Sequence, residues 1–340
     1  MASEAPHLAQ TGYLNMARSH LNQIFETEAI PADREKFPGT VDFPLVGRVT
    51  DPMDRAQRLA VTTDAYKSFG YISTDKKSPN YLPVVNVDLP FEAILASFQT
   101  SADFLTYVRS KGGNDEVFDS YLFGDGIILR TSGQGAEGSE IFFDKHVFHS
   151  YEYGVRINGQ IVASARVIDQ NESPTLSNEK LRGSIQNDLL DEALNSGGEI
   201  SQFARDKDFD KKGLFLPWLI KAIFVDSKRR GVNTLTMNID SGLQTYLNGM
   251  FSLLGKNNPP GLTQLGTPVM HLGSMTTTWL LNIANTEKVL AGNINYFRNR
   301  LATEPNQTEQ RTRQLEQQVM LCLLLGGFEN GVPSMKAKPE

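Results

Sequence analysis

The stretch GEISQFARDKDFDKKGLFLPWLIKAIFVDSKRRGVNTLTMNIDSGLQTYLNGMFSLLG, from Gly198 to Gly255, decides the fold. Glu199–Asp206 alternates polar and apolar residues, which predicts a strand, and Leu214–Lys228 is apolar on nearly every helical face, which predicts a buried helix. Gly231 ends that helix behind a basic last turn. NTLTMNID, ending at Asp240, predicts a second strand, and a second helix follows to Leu254. A strand, a crossover helix and a strand imply two parallel neighbours with a right-handed connection.

Composition limits the class of protein. The chain has 340 residues, 40% of them apolar, which is enough for one large domain or two ordinary ones. The net charge of −6, without a long basic tract, argues against a protein that binds nucleic acid through phosphates. The single cysteine, Cys322, excludes an internal disulfide framework and a cysteine-based metal cluster. Without a signal-like start or an apolar run of roughly 20 residues, we expect no transmembrane segment and a cytoplasmic location.

The regions around the core stretch divide the chain into four predicted parts. We expect an N-terminal helical segment over 1–43, a core over 44–275, a C-terminal helical extension over 276–330 and a mobile tail over 331–340. The C-terminal helices are predicted at about 283–302 and 310–325, where they could cover the core or form a homodimer surface. Within the core, Asp51 and Pro52 start a helix that runs to Gly70.

Residues 73–147 are predicted to form an insertion. A helix is expected near Phe91–Val108, and YLFGDGIILRTS predicts paired short strands around Gly124-Asp125-Gly126. The insertion could be a lid that excludes water from a cleft or a subdomain that only packs against the core. After it, His149–Asp169 predicts a hairpin whose tight turn lies at Asn158-Gly159. A final strand is expected around Pro268–Leu272.

Three stretches resemble a known group of enzymes. GEISQFARDKD is similar to a strand of acyl-homoserine-lactone synthases and N-acyl amino acid synthases, where the pattern is Glu, a small residue, Ser, Arg, Phe. Glu199, Ser201 and Phe203 match, and Gln202 replaces the arginine. ASARVIDQNESPTL resembles a second strand and loop, in which an arginine corresponds to Arg166, and the stretch from Arg48 to Tyr71 resembles the opening of N-acyl amino acid synthases, whose helix lines the acceptor pocket.

The resemblance covers roughly residues 44 to 275 and implies the α/β (α+β) fold of GNAT acyltransferases. That fold has a mixed, mostly antiparallel sheet flanked by helices. Its two central parallel strands splay apart, and an acylated pantetheine arm lies in the gap. The inserted residues 73–147 and the C-terminal helices are departures from it.

The resemblance also implies roles for single residues. Glu199 would accept the proton of an amine, or be an ordinary carboxylate paired with Arg166 or Arg205. Tyr246 would protonate the leaving sulfur, or be an aromatic core residue. Ser201 would bind the pantetheine arm or the oxyanion, although a structural role is the simpler interpretation. We assign Arg166, Ser201, Phe203 and Arg205 to substrate binding.

The sequence before the long helix indicates which acyl donor the protein uses. GNAT enzymes that use coenzyme A hold its pyrophosphate on a glycine-rich turn before the long helix, where this chain reads DFDKKGLFLPW. The absence of that turn favours an acyl carrier protein, which is acidic. The candidate docking charges, which could equally form a solvated helix end, are Lys211, Lys212, Lys228, Arg229 and Arg230.

The predicted function is an N-acyltransferase that moves a fatty acyl group from acyl-phosphopantetheine on a carrier protein, or from acyl-CoA, to the amine of a small amino-acid-like acceptor. No permanently bound cofactor is expected. No metal is expected either, since His146 and His149 are spaced to lie on opposite faces of a strand. The alternatives are a GNAT-like binding or assembly module without catalysis and, less favoured, an acetyltransferase that uses coenzyme A.

Overall fold

A computed structural model describes residues 45–131, 139–157, 159–169, 179–206, 216–252, 261–286 and 288. Its strands are β1 (Leu45–Arg48), β2 (Val84–Val87), β3 (Ile127–Thr131), β4 (Glu140–Phe143), β5 (Ser150–Ile157), β6 (Gln160–Asp169), β7 (Gly198–Arg205), β8 (Thr234–Asp240), β9 (Leu262–Gln264), β10 (Val269–His271) and β11 (Ser274–Asn282). Its helices are α1 (Pro52–Ser68), α2 (Phe91–Ser97), α3 (Ser101–Ser110), α4 (Asp115–Leu122), α5 (Glu179–Gly183), α6 (Asn187–Leu194), α7 (Leu216–Arg229) and α8 (Ser241–Ser252).

The main sheet has eight strands in the order β1-β5-β6-β7-β8-β11, with β10 and β9 both paired to the far edge of β11. Every neighbouring pair in it is antiparallel except β7 with β8, which is parallel. The predicted mixed, mostly antiparallel sheet with a central parallel pair is therefore confirmed. The predicted order of strand, helix, strand and helix from Gly198 onward is confirmed as well, and Gly231 has the positive φ of 76° expected of the residue that ends α7.

Helix α7 covers one face of the main sheet with apolar side chains. It packs against β1, β5 and β6, and Ile223 and Phe224 lie fully buried in a cluster with Val155 and Leu235. Burying side chains of this size contributes about 1.5–3 kcal/mol each, so α7 is a main source of the stability of the sheet. The buried apolar residues of this helix are Leu219, Ile220, Ala222, Ile223 and Phe224.

Helix α1 lies on the opposite face, where it packs against β4, β6 and β7. Its N-terminus is capped by Asp51, whose Oδ1 accepts from the amide of Met53 at 2.9 Å, and Pro52 occupies the first turn. The buried side of α1 is partly polar, because Arg58, Thr62 and Thr63 are 0% exposed. Such burial requires hydrogen-bond partners on the facing sheet.

The insertion forms a second sheet of three strands in the order β2-β3-β4, with α2, α3 and α4 beside it. Leu59 of α1 is part of the buried apolar cluster of the insertion, so the insertion packs against this helix. The single helix predicted over Phe91–Val108 is wrong, because α2 ends at Ser97 and Thr100 caps a new helix. The predicted pair of strands around Gly124-Asp125-Gly126 is also wrong, since α4 ends before this turn and only β3 follows it.

The last strands extend the sheet further than predicted. The strand predicted around Pro268–Leu272 is the first arm of a hairpin, and β11 continues to Asn282 and pairs along β8. The main sheet therefore crosses residue 275, where the core was predicted to end. Residues 283–286 are helical, in agreement with the start of the helix predicted at 283–302. The predicted N-terminal helix, the rest of the C-terminal extension and the tail lie outside the described residues.

The hairpin predicted over His149–Asp169 is present as β5 and β6, with Gly159 at φ 81° in the turn. Within the described ranges, no helix has the length and hydropathy needed to cross a membrane.

Candidate active site

The candidate site lies where the pairing of β7 with β8 stops. Only two residue pairs form the parallel ladder, Glu199 with Thr236 and Ile200 with Met237, although β7 continues to Arg205 and β8 to Asp240. A bulge interrupts β7 at this point, because its register against β6 shifts between Ser201 and Ala204. Beyond Ile200, the edge of β7 that faces β8 is no longer part of the ladder. We call this region the strand split.

Glu199 lies at the base of the strand split. Its residue is 6% exposed, and its Oε1 accepts a hydrogen bond from Nδ2 of Asn238 at 2.8 Å. The Oδ1 of Asn238 in turn accepts from Oγ1 of Thr278 at 2.9 Å. These two hydrogen bonds connect β7, β8 and β11 and orient the Glu199 carboxylate from one side. A buried, oriented carboxylate is suited to accept a proton from a bound amine.

Arg166 forms a bidentate ion pair with Asp144, a residue of the insertion. The two nitrogen–oxygen distances are 2.7 and 2.5 Å, and Nε of Arg166 donates to Oγ of Ser201 at 2.9 Å. Burial opposes the ionisation of Asp144, but the neighbouring Arg166 guanidinium outweighs it and lowers the pKa of Asp144 to about 2. Burial, assisted by Arg166, lowers the pKa of the adjacent His146 to about 4, so His146 is neutral at pH 7.

A second buried arginine reaches the bulge from α1. Nη2 of Arg58 donates to Oε1 of Gln202 at 2.6 Å, and its Nη1 is 3.5 Å from Oε1 of Glu152. Burial lowers the pKa of Arg58, while Glu152 acts in the opposite direction. Gln202 also donates from Nε2 to Asp144 at 3.2 Å. Arg58, Gln202, Asp144 and Arg166 thus form one polar network between α1 and the central strands.

The far end of β8 carries another carboxylate, Asp240. It accepts a short hydrogen bond from the hydroxyl of Tyr71, just after α1, and its Oδ1 accepts from the amide of Leu243 at 2.6 Å. Burial and this hydrogen bond raise the pKa of Tyr71. Asp240 caps α8 and ties the end of α1 to β8, so both margins of the strand split are fixed to the same helix.

The structure brings together only some of the predicted site residues. Arg166 and Ser201 lie on the polar network, whereas Glu199 is bound to Asn238. Arg166 is held by Asp144 and not by the predicted partner Glu199. Phe203 packs against the apolar cluster around α7. Nη1 of Arg205 is buried and has no hydrogen-bond partner among the described residues. Phe203 is therefore a packing residue in this structure, whereas Arg205 retains unused hydrogen-bonding capacity.

The predicted docking cations differ in their surroundings. Lys228 and Arg229 are exposed in the last turn of α7. Arg230 is engaged, because Nε lies 3.1 Å from Asp226 and its guanidinium lies 3.8 Å from the ring centre of Tyr151. Lys211 and Lys212 lie outside the described residues. Tyr246 belongs to α8, directly after β8, and the position of its side chain is not described.

The described ranges contain no group of His, Cys, Asp and Glu side chains arranged to hold a metal ion. A cavity of about 440 Å³ lies at the edge of β2 in the insertion and is lined in part by Lys76, Lys111 and Arg130. None of the residues predicted for the site contributes to that cavity.

Sequence reasoning missed Arg58, Asp144, Asn238 and Asp240. Arg58 had a local signal, since it is a charged residue on a helix that buries Leu59 and Thr62. Asn238 and Asp240 share one face of a strand whose alternation is visible in NTLTMNID. Asp144 had no such signal, because it belongs to the insertion and meets Arg166 only in the folded chain.

No family model and no curated protein sequence matches this chain. Solved structures are similar to it. The acyl-homoserine-lactone synthase LasI is 15% identical over 45% of this chain and 75% of its own, with a TM-score of 0.35. FeeM, an N-acyl amino acid synthase from uncultured soil microbes, is 13% identical over 72% and 93%, with a TM-score of 0.38. TofI, in a ternary complex with an inhibitor and MTA, is 19% identical over 52% and 83%, with a TM-score of 0.36.

LasI and FeeM represent the two groups of synthases that the sequence resembles. Similarities of this size concern the arrangement of the chain and assign no substrate and no residue role.

Proposed function

We propose that this chain is a cytoplasmic N-acyltransferase that moves a fatty acyl group from an acyl carrier protein thioester to the amine of a small amino-acid-like acceptor. The observation that carries the proposal is a buried, hydrogen-bonded carboxylate, Glu199, at the base of the strand split. The reaction needs such a base beside a channel for an extended thioester. Glu199 lies next to the edge of β7 that leaves the ladder with β8, which we propose as the place of the thioester.

The reaction balances with the groups at this place. An acceptor arrives as an ammonium ion and loses a proton, directly or through water, to Glu199. The free amine attacks the thioester carbon, the carbon–nitrogen bond forms, and the carbon–sulfur bond breaks. The departing thiolate takes a proton, for which we propose the hydroxyl of Tyr246 on α8, and the second proton that the nitrogen loses as the amide forms restores that hydroxyl. Glu199 then releases its proton to solvent. The products are an amide and a free thiol.

The donor arm is proposed to lie along the strand split. Past Ile200, β7 presents peptide groups that do not pair with β8, and these can bond the amides of a pantetheine arm. Oγ of Ser201 accepts from Arg166, so its hydroxyl hydrogen can still donate to the arm or to the oxyanion. Arg205, with a buried nitrogen that lacks a described partner, is the better candidate of the two arginines to bind an acceptor carboxylate.

A carrier protein is favoured over coenzyme A by the sequence before α7, which lacks a glycine-rich turn for pyrophosphate. Lys228 and Arg229 are exposed at the other end of α7 and are proposed to contact the acidic carrier together with Lys211 and Lys212. Arg230 is withdrawn from this role, because Asp226 and Tyr151 already engage it.

The second candidate is a binding or assembly module without catalysis. Arg166 favours it, because both of its terminal nitrogens are bound to Asp144 at hydrogen-bond distance and the pair is nearly completely buried. An arginine held in this way supports the fold without contacting a substrate. In this interpretation Glu199 would also be structural.

Product analysis separates the two candidates. Purified protein is mixed with a long-chain acyl carrier protein and a pool of amino acids, with acyl-CoA replacing the carrier in a parallel reaction, and small products are weighed by intact-mass spectrometry. We expect an acylated amino acid with the carrier protein and little or none with acyl-CoA. An inactive protein that still binds the donor, detected as a thermal shift without product, would establish the binding module instead.

A further inference from the structure

Gln202 has an unusual backbone for its position. It lies in the middle of β7, is 6% exposed, and has a φ of 54°. A non-glycine residue in this left-handed region is strained and persists only where its surroundings fix it. The strain coincides with the bulge after which β7 no longer pairs with β8. The conformation of Gln202 is therefore part of the strand split.

Both ends of the Gln202 amide are held by charged groups. Oε1 accepts from Arg58 on α1 at 2.6 Å, and Nε2 donates to Asp144 of the insertion at 3.2 Å. Arg58 is 0% exposed and lies 3.5 Å from Glu152. The glutamine thus connects a cation on one element to an anion on another.

The charges around Gln202 limit which side chain can stand at position 202. A guanidinium there would meet Asp144, which already binds Arg166, and would lie beside the guanidinium of Arg58. Two buried like charges at this distance would repel. Glutamine at 202 and arginine at 58 avoid that repulsion while keeping one guanidinium next to the bulge.

We propose that Arg58 and Gln202 form a pair of exchangeable side chains that together hold the bulge of β7 from α1. Arg58 is a positioning residue: it holds the Gln202 side chain, which holds the bulge, which keeps the strand split open. It need not contact substrate. The effect of the pair on turnover rests on the proposed function, but its effect on the conformation of β7 does not.

The test is a cycle of four proteins: the natural chain, R58Q, Q202R and R58Q/Q202R. Urea unfolding and hydrogen exchange of the amides of 201–205 report on the pair without any assay of activity. We expect both single variants to unfold at lower urea and to exchange faster at these amides, and the double variant to recover toward the natural chain in both. A double variant no better than the worse single variant would overturn the proposal, as would a single variant that matches the natural chain.

Two variants of Gln202 separate the effect of the backbone conformation from the effect of the side-chain hydrogen bonds. Glycine adopts a positive φ without strain, whereas alanine does not, and both remove the amide bridge. We therefore expect faster exchange in Q202G and still faster exchange in Q202A. If Q202G keeps natural exchange rates, the side-chain bridge does not hold the bulge and the proposal fails.

The matched control is R156Q. Arg156 also joins the main sheet to α1, through Asp54, but it lies on β5 away from the strand split. R156Q should leave exchange at 201–205 unchanged. If the natural chain transfers an acyl group, kcat/KM of the double variant should exceed the product of the two single-variant factors by at least about tenfold. If the natural chain has no activity, the proposed function fails while the exchange result still decides on the pair.

Discussion

Strands β7 and β8 carry opposite kinds of side chain on their two faces. Toward α7 they present Ile200, Leu235, Met237 and Ile239, all buried in one apolar cluster. The other face carries Glu199, Ser201, Asn238 and Asp240, each in a hydrogen bond to a neighbouring side chain. The apolar face stabilises the sheet by area and tolerates changes of similar volume. The polar face is costly to bury, so each of its groups has to be oriented by a partner.

The difference predicts that mutations of the apolar face change stability and leave the chemistry intact. Phe224→Ala on α7 should lower the free energy of unfolding by about 3–5 kcal/mol, because it leaves a cavity in a closed cluster. The kcat of the remaining folded protein should be unchanged. Urea unfolding, with kinetics at low denaturant, checks both statements.

Val225→Ala is the control for that measurement. Val225 is next to Phe224 on the same helix but only half-buried, so the loss should be under about 1.5 kcal/mol. Equal losses for the two variants would contradict the packing described for α7.

Breaking the buried ion pair should also be costly. Asp144→Asn leaves Arg166 with an uncompensated charge and should destabilise the protein by about 3 kcal/mol at pH 7. Asp144 has a pKa of about 2 in the folded protein, below its usual 3.8, so its contribution is present above pH 3.8 and is lost as the pH falls toward 2. That contribution is about 2 kcal/mol.

The difference in unfolding free energy between the natural chain and Asp144→Asn should therefore narrow as the pH falls from 4 to 2. Unfolding free energies measured across this range check it. If the difference in unfolding free energy stays constant across this range, Arg166 does not lower the pKa of Asp144. Asp88→Asn, which removes an exposed ion pair with Lys111, should leave stability at pH 7 unchanged within error.

The fold was largely predictable because its signals are local. The two-residue alternation of Glu199–Asp206 and Asn233–Asp240 gives both central strands, and the apolar Leu214–Lys228 gives the helix between them. The insertion was less predictable. Its helix breaks at Thr100, whose side chain caps the next helix at the amide of Asp103, and capping residues also occur inside polar helical faces.

The site was predictable only in part, because its partners are distant in sequence. Arg58 and Gln202 are 144 residues apart, and no local pattern links them. Arg166 was assigned to substrate binding, whereas Asp144 engages it in the structure. The left-handed conformation of Gln202 opposes the preference of its residue type, so it is set by tertiary contacts alone.

A smaller loss of stability is expected on the β8 side of the strand split. Tyr71→Phe removes one hydrogen bond to Asp240 and should cost about 1 kcal/mol in unfolding free energy. Asp240 remains bound to the amide of Leu243, so the cap of α8 is retained. Urea unfolding measures the loss. A loss as large as that of Asp144→Asn would show that the hydrogen bond from the Leu243 amide is not enough to hold Asp240 in place.

The most direct measurement on the central claim compares kcat of the natural chain and Glu199→Gln with the acyl carrier protein donor and the acceptor identified by mass. Glutamine keeps the oxygen that Asn238 binds but cannot accept the proton of the amine. We expect kcat to fall by at least about 100-fold while the urea midpoint is nearly unchanged, and we expect Glu140→Gln, on β4 of the insertion, to retain natural kcat. An undiminished kcat in Glu199→Gln would contradict the assignment of the proton acceptor to the polar face of β7.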